Sequence, residues 1–130
     1  YMPNMANIVV KKADGTTNFT WTALSASPGD GGYAQWRGEG LSPALSGSFR
    51  AKTQWNGNRT TRRLEASGGV PFVQTVAGVE SATAFIPFRF SADLPTVVPT
   101  ATSQDAAAVI CNAIASALFR EMMSSGFSAT

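Results

Sequence analysis

Residues 45–66 read LSGSFRAKTQWNGNRTTRRLEA, and the spacing within this stretch decides the fold. Phe49, Ala51, Thr53 and Trp55 alternate with Ser48, Arg50, Lys52 and Gln54, and a period of two puts these sets on opposite sides of a β-strand. One side is apolar; the other is polar and basic. Trp55-Asn56-Gly57-Asn58 predicts the turn, because Asn and Gly tolerate the positive φ of tight hairpin connections. Residues 60–66 form the return arm, with Arg62 and Arg63 on opposite faces unless a bulge intervenes. Half of the chain's 10 Lys and Arg residues lie on this hairpin, as Arg50, Lys52, Arg59, Arg62 and Arg63, and no acidic residue falls between Ser48 and Arg63.

Working outward, Ile8-Val9-Val10 and Phe19-Thr20-Trp21 flank Asp14-Gly15, which predicts an N-terminal β-hairpin. Residues 25–32, with Pro28, Gly29, Asp30, Gly31 and Gly32, predict a loop. Tyr33-Ala34-Gln35-Trp36 predicts a short strand closed off by Gly38, Gly40 and Pro43. Beyond the central hairpin, Gly68-Gly69 and Pro71 weaken the strand pattern, which resumes over residues 72–76 before a turn at Ala77-Gly78. Ile86, Phe88, Phe90, Ala92 and Leu94 then alternate with Arg89, Ser91 and Asp93. Pro87 and Pro95 place part of this strand at an edge or bulge, since proline lacks the amide donor of a ladder.

The tail changes period. Ser103 is the expected N-cap, with Asp105 in the first turn. Val109, Ile110, Ala113, Ile114, Ala117 and Leu118 form an apolar stripe at helical spacing, and Gly126 is the expected stop. Strands first and helix last make an α+β pattern, a sheet covered on one face by one or two C-terminal α-helices. Such a sheet has more apolar face than one short helix hides, at roughly 1.5–3 kcal/mol per fully buried large side chain. The expected remedy is a second copy in a two-fold dimer. A helix folded onto its own sheet in a monomer is the simpler alternative.

Composition narrows the chemistry. The net charge of +2 over 130 residues does not by itself mark a nucleic-acid binder, so the clustering on the hairpin carries that reading. The sequence has no histidine, the commonest general base and metal ligand. Its single cysteine, Cys111, has no disulfide or metal partner and is expected to be buried as a small apolar residue. No catalytic constellation, metal cluster or Gly-rich phosphate loop stands out, so neither an enzyme nor a cofactor is expected. No run of about 18 apolar residues marks a membrane span. Met5-Ala6-Asn7 makes a natural translation start, so residues 1–4 are expected to be a leader or expression remnant and residues 5–130 a single domain.

Gln74-Thr75-Val76-Ala77-Gly78-Val79-Glu80 resembles the loop between two late strands in the coat proteins of the single-stranded RNA bacteriophages, the levivirus family. Gly32-Tyr33-Ala34-Gln35-Trp36 resembles the family's short strand before the central sheet, and Asn58-Arg59 its hairpin turn. Residues 103–119 resemble its C-terminal helix. The resemblance implies an N-terminal β-hairpin, an antiparallel sheet of about five strands and C-terminal helices. It further implies an intertwined homodimer with one continuous sheet, each copy's helix packing over its partner's strands through Val109, Ile110, Ala113, Ile114, Ala117 and Leu118. Dimers of this kind build an icosahedral shell around genomic RNA, the virion, assembled in the cytoplasm of a bacterial host. The loop Thr75, Val76, Ala77, Gly78, Val79 and Glu80 would lie between dimers at the shell's symmetry axes.

The resemblance also assigns an RNA-binding face that holds a stem-loop, repressing translation and marking the RNA for packaging. In this chain it comprises Tyr33, Ser48, Arg50, Lys52, Gln54, Asn58, Arg59, Thr61, Arg63, Glu65, Arg89, Ser91 and Asp93. The choice of Arg63 over Arg62 rests on the resemblance alone. Arg89 stands where relatives carry a base-stacking tyrosine, and Glu65 where they carry a basic residue; both departures change what an RNA loop would meet. The tail lacks the Gly-Pro break between the two helices of some relatives, which favours one continuous helix. The competing reading is a small single-stranded nucleic-acid-binding module that never assembles, with Trp55 and Tyr33 as stacking platforms.

Overall fold

A computed structural model describes residues 3–40 and 45–130; the expectations attached to Tyr1 and Pro43 lie outside the described residues. The chain divides into two compact units, Tyr1–Asp93 and Leu94–Thr130. The first is a six-stranded sheet in chain order, β1 (Ile8–Lys11), β2 (Asn18–Ser25), β3 (Ala34–Arg37), β4 (Ser48–Trp55), β5 (Thr61–Val76) and β6 (Val79–Pro95). Adjacent strands from β1 to β5 pair antiparallel, so the N-terminal hairpin is part of the sheet itself. The β1–β2 turn is built by Asp14, whose carboxylate accepts from the Thr16 and Thr17 amides at 2.9 and 2.8 Å and from the Thr17 hydroxyl. These three donors hold the Asp14 pKa down at about 2, the Thr17 side chain contributing most.

Alternation decides the faces. Trp21, Trp36, Phe49 and Phe88, from β2, β3, β4 and β6, join Phe19 in a run of rings: Phe19–Trp21 at 5.1 Å, Trp21–Phe49 at 5.8 Å, Trp36–Phe49 at 5.2 Å and Phe49–Phe88 at 5.7 Å. Each such pair is worth about 0.5–1.5 kcal/mol beyond its buried area. Trp36 is fixed further by its indole N–H, which donates to the Ala6 carbonyl at 2.8 Å. Even so, Ala66 is the only buried hydrophobic residue among the described residues. Phe72 and Ile86 are among the large apolar side chains left exposed.

Two local expectations are corrected. β5 runs unbroken through Gly68, Gly69 and Pro71. The glycines are there for close approach: a Cβ on Gly68 would lie 2.0 Å from the Ser48 carbonyl oxygen, and one on Gly69 would lie 2.2 Å from the Phe85 ring. In the β4–β5 turn the positive φ falls on Arg59, at 55°, and on neither Gly57 nor Asn58. Asn56 explains this, since its side chain accepts from the Thr60 amide at 2.8 Å and its carbonyl from the Arg59 amide at 3.1 Å, leaving Arg59 to reverse the chain. The turn expected at Ala77-Gly78 is found, as a tight hairpin: β5 ends at Val76, β6 starts at Val79, and only Ala77 and Gly78 turn, at φ 54° and 80°. Two consecutive positive values are the type I′ geometry that matches strand twist.

The second unit carries α1 (Thr100–Ile114) and α2 (Ala117–Ser125). The N-cap of α1 is Pro99 instead of Ser103, and Asp105 lies beyond the first turn. Proline at this boundary has its φ preset at −60° and lacks only a donor that a helix start leaves unused. Ser103 sits inside the helix and donates its hydroxyl to the Thr100 carbonyl at 2.8 Å. The helix is also broken, with a bend of 46° between α1 and α2. Ser116 makes the break without glycine or proline, being extended at ψ 155° and accepting on its hydroxyl from the Phe119 amide at 3.3 Å. Gly126 ends α2 in the left-handed region, its amide donating to the Met122 carbonyl at 2.9 Å. Neither helix buries a residue, which is why Cys111, expected inside, is exposed. Neither helix alone is long and apolar enough to cross a membrane.

Candidate nucleic-acid interface

The register of the central strands assembles one polar face. Across β4 and β5, Ser48 stands opposite Gly69, Arg50 opposite Ser67, Lys52 opposite Glu65 and Gln54 opposite Arg63. Arg63 therefore shares the face of Arg50 and Lys52, while Arg62 stands opposite Trp55 on the other. From β6, Asp93 joins the face by accepting from Arg63 Nε at 3.0 Å, and the period of two carries Arg89 and Ser91 to the same side. Thr61 begins β5 in phase with Arg63, whereas Asn58 and Arg59 project from the exposed turn at the hairpin tip. Tyr33 lies just before β3, its ring beneath Arg50 at 4.7 Å and Lys52 at 5.0 Å. Those distances fall within cation–π range and fix both cations over the ring.

Sequence reasoning missed two members of this face. Arg37 pairs opposite Ser48 and Gln35 opposite Arg50. The alternation Tyr33, Gln35, Arg37 carries the signal, hidden because the short strand was read as ending at Trp36. Arg37 is anchored by donating from Nε to the Ser46 hydroxyl at 3.0 Å, and Arg50 likewise to the Ser67 hydroxyl at 3.0 Å.

Acidic residues temper the basic character. Glu65 lies 3.6 Å from Lys52 and 3.8 Å from Arg63, and the hydrogen bond from Arg63 to Asp93 holds the guanidinium pKa above its usual value. On the opposite face Arg62 stacks over Trp55 at 4.7 Å and binds Asp30 at 2.6 Å. Asp30 also accepts from the Trp55 amide at 3.2 Å, and Gly31 donates to the Thr53 carbonyl at 2.9 Å. The Arg62 guanidinium and then the Trp55 amide keep the Asp30 carboxyl below the ordinary carboxylate range. Arg62 is thus occupied in tying the 26–32 loop to the hairpin.

No protein-family model and no curated protein matches the sequence. Solved structures match over nearly the whole chain. The chain is similar to the virus-like particle of Beihai levi-like virus 21, with TM-score 0.81 and 19% identity over 98% of this chain and 99% of that one. It is similar to the bacteriophage GA protein capsid, with TM-score 0.75 and 20% identity over 94% and 95%. It is also similar to an unassembled virus coat protein dimer described as a bacteriophage RNA-binding dimer, with TM-score 0.69 and 18% identity over 95% and 96%. The architecture is the levivirus coat fold.

Proposed function

We propose that this chain is the coat protein of a single-stranded RNA bacteriophage, pairing with a second copy and assembling into a closed icosahedral shell around RNA. The observation that carries this reading is the apolar surface a single copy leaves in water: Val109 is 69% exposed, Leu118 56%, Ile86 56% and Phe72 50%, and neither helix buries anything. Burying such side chains is worth about 1.5–3 kcal/mol each, which an identical partner supplies by symmetry. β6 adds a second reason. It ends the strand order, 17 residues long, and an open edge of that length is a template for another strand.

In this reading β6 joins its counterpart in one continuous sheet, and Val109, Ile110, Ala113, Ile114, Ala117 and Leu118 pack over the partner's strands. The 75–80 hairpin contacts neighbouring dimers. The polar face turns inward and holds an RNA stem-loop as translational repressor and packaging signal, and the chain belongs to the virion, assembled in the bacterial cytoplasm. Sedimentation and electron microscopy of the protein expressed alone test the proposal. Dimers with shells are the expected result, and a monomer at every concentration overturns it. An RNA-binding dimer that never forms shells would instead favour the non-assembling nucleic-acid-binding module.

A further inference from the structure

The cations of the polar face fall into two kinds. Lys52 and Arg63 are held by carboxylates, Lys52 by Glu65 at 3.6 Å and Arg63 by Asp93 at 3.0 Å and Glu65 at 3.8 Å. Arg37 and Arg50 are held by the hydroxyls of Ser46 and Ser67. Among the described residues no carboxylate lies within 4.0 Å of Arg37 or Arg50. The difference bears on anion binding. A phosphate approaching an ion-paired cation meets the fixed carboxylate as well, and the two anions repel. A hydroxyl-anchored guanidinium keeps its whole charge and is already oriented, with terminal N–H groups to offer a phosphate.

Arg37 and Arg50 are also neighbours on the face. Arg37 stands opposite Ser48, two residues along β4 from Arg50, about 6.8 Å of strand. The Tyr33 ring lies under Arg50 and provides an aromatic floor there. We propose that single-stranded RNA crosses the sheet along a track made by Arg37 and Arg50 over Tyr33, and that Lys52 and Arg63 contribute little to phosphate binding. The track rests on the RNA-binding reading above and adds to it Arg37, together with an inequality between cations of the same face.

Binding of a fluorescein-labelled oligouridylate to the full chain, followed by anisotropy across a salt series, separates the possibilities. Each neutralised phosphate steepens the log–log salt dependence by about 0.7 for a single strand, so Arg37→Gln/Arg50→Gln should flatten the slope by about 1.4. Glutamine keeps a donor for the anchoring serines, circular dichroism checks the fold, and Arg37→Lys/Arg50→Lys should restore the slope. Removing a cation together with its carboxylate, as Arg63→Ala/Asp93→Ala, should leave the slope unchanged. Equal flattening by both double variants, in a wild type that binds, overturns the track while leaving RNA binding intact. A wild type with no salt-dependent binding overturns both.

Discussion

Ala77 sits at φ 54° in the β5–β6 turn, a conformation that presses its Cβ against the backbone. Ala77→Gly should relieve about 1 kcal/mol, read as a higher denaturant midpoint with unchanged m-value. Asp14 offers a second test at this scale. Its folded pKa, about 2, lies below the ordinary 3.8, so its contribution to stability is complete above pH 3.8 and fades as pH falls from there toward 2. Thermal melts of wild type and Asp14→Asn should therefore differ near neutrality and converge in that acidic window. Residue-level roles were unevenly legible. The two faces of β4 followed from its alternation, and the Asp14-Gly15 turn from its composition. The cap at Pro99 was not, because Ser103 has the right chemistry four residues too late, and Cys111 was assigned to an interior that one copy does not possess.

At the scale of elements, the pair Gly68-Gly69 looked like an interruption and proves to be a requirement. What decides it is the backbone of β4 and the Phe85 ring of β6, partners distant in sequence that no local pattern reveals. Gly68→Ala should cost about 3 kcal/mol or more, because the blocking atom is a ladder carbonyl that cannot swing aside. Insoluble expression or a greatly lowered melting temperature would register the loss. The choice between one C-terminal helix and two stayed open in the sequence for a related reason: a serine that caps a new helix is locally indistinguishable from one inside a continuous helix. Ser116→Ala should destabilise α2 by about 1 kcal/mol, seen as reduced helical ellipticity.

For the whole molecule, a surplus of apolar positions was legible from the sequence, and the exposed large apolar side chains of the chain agree with it. The identity of the surfaces involved rested on resemblance. If partner and fold are thermodynamically one event, the unfolding midpoint rises with protein concentration, and a midpoint independent of concentration would contradict this. Leu118→Asp, placing a charge on the α2 stripe, should leave the chain unassembled by size-exclusion chromatography. The three tryptophans turn this dependence into light. Trp21 and Trp36 lie in the run of rings on the apolar face, whereas Trp55 lies at the hairpin tip beneath Arg62. Association that dries the first pair and spares the third gives the protein an intrinsic optical gauge: emission shifts to the blue as subunits join, over a quencher-accessible remainder from a single indole.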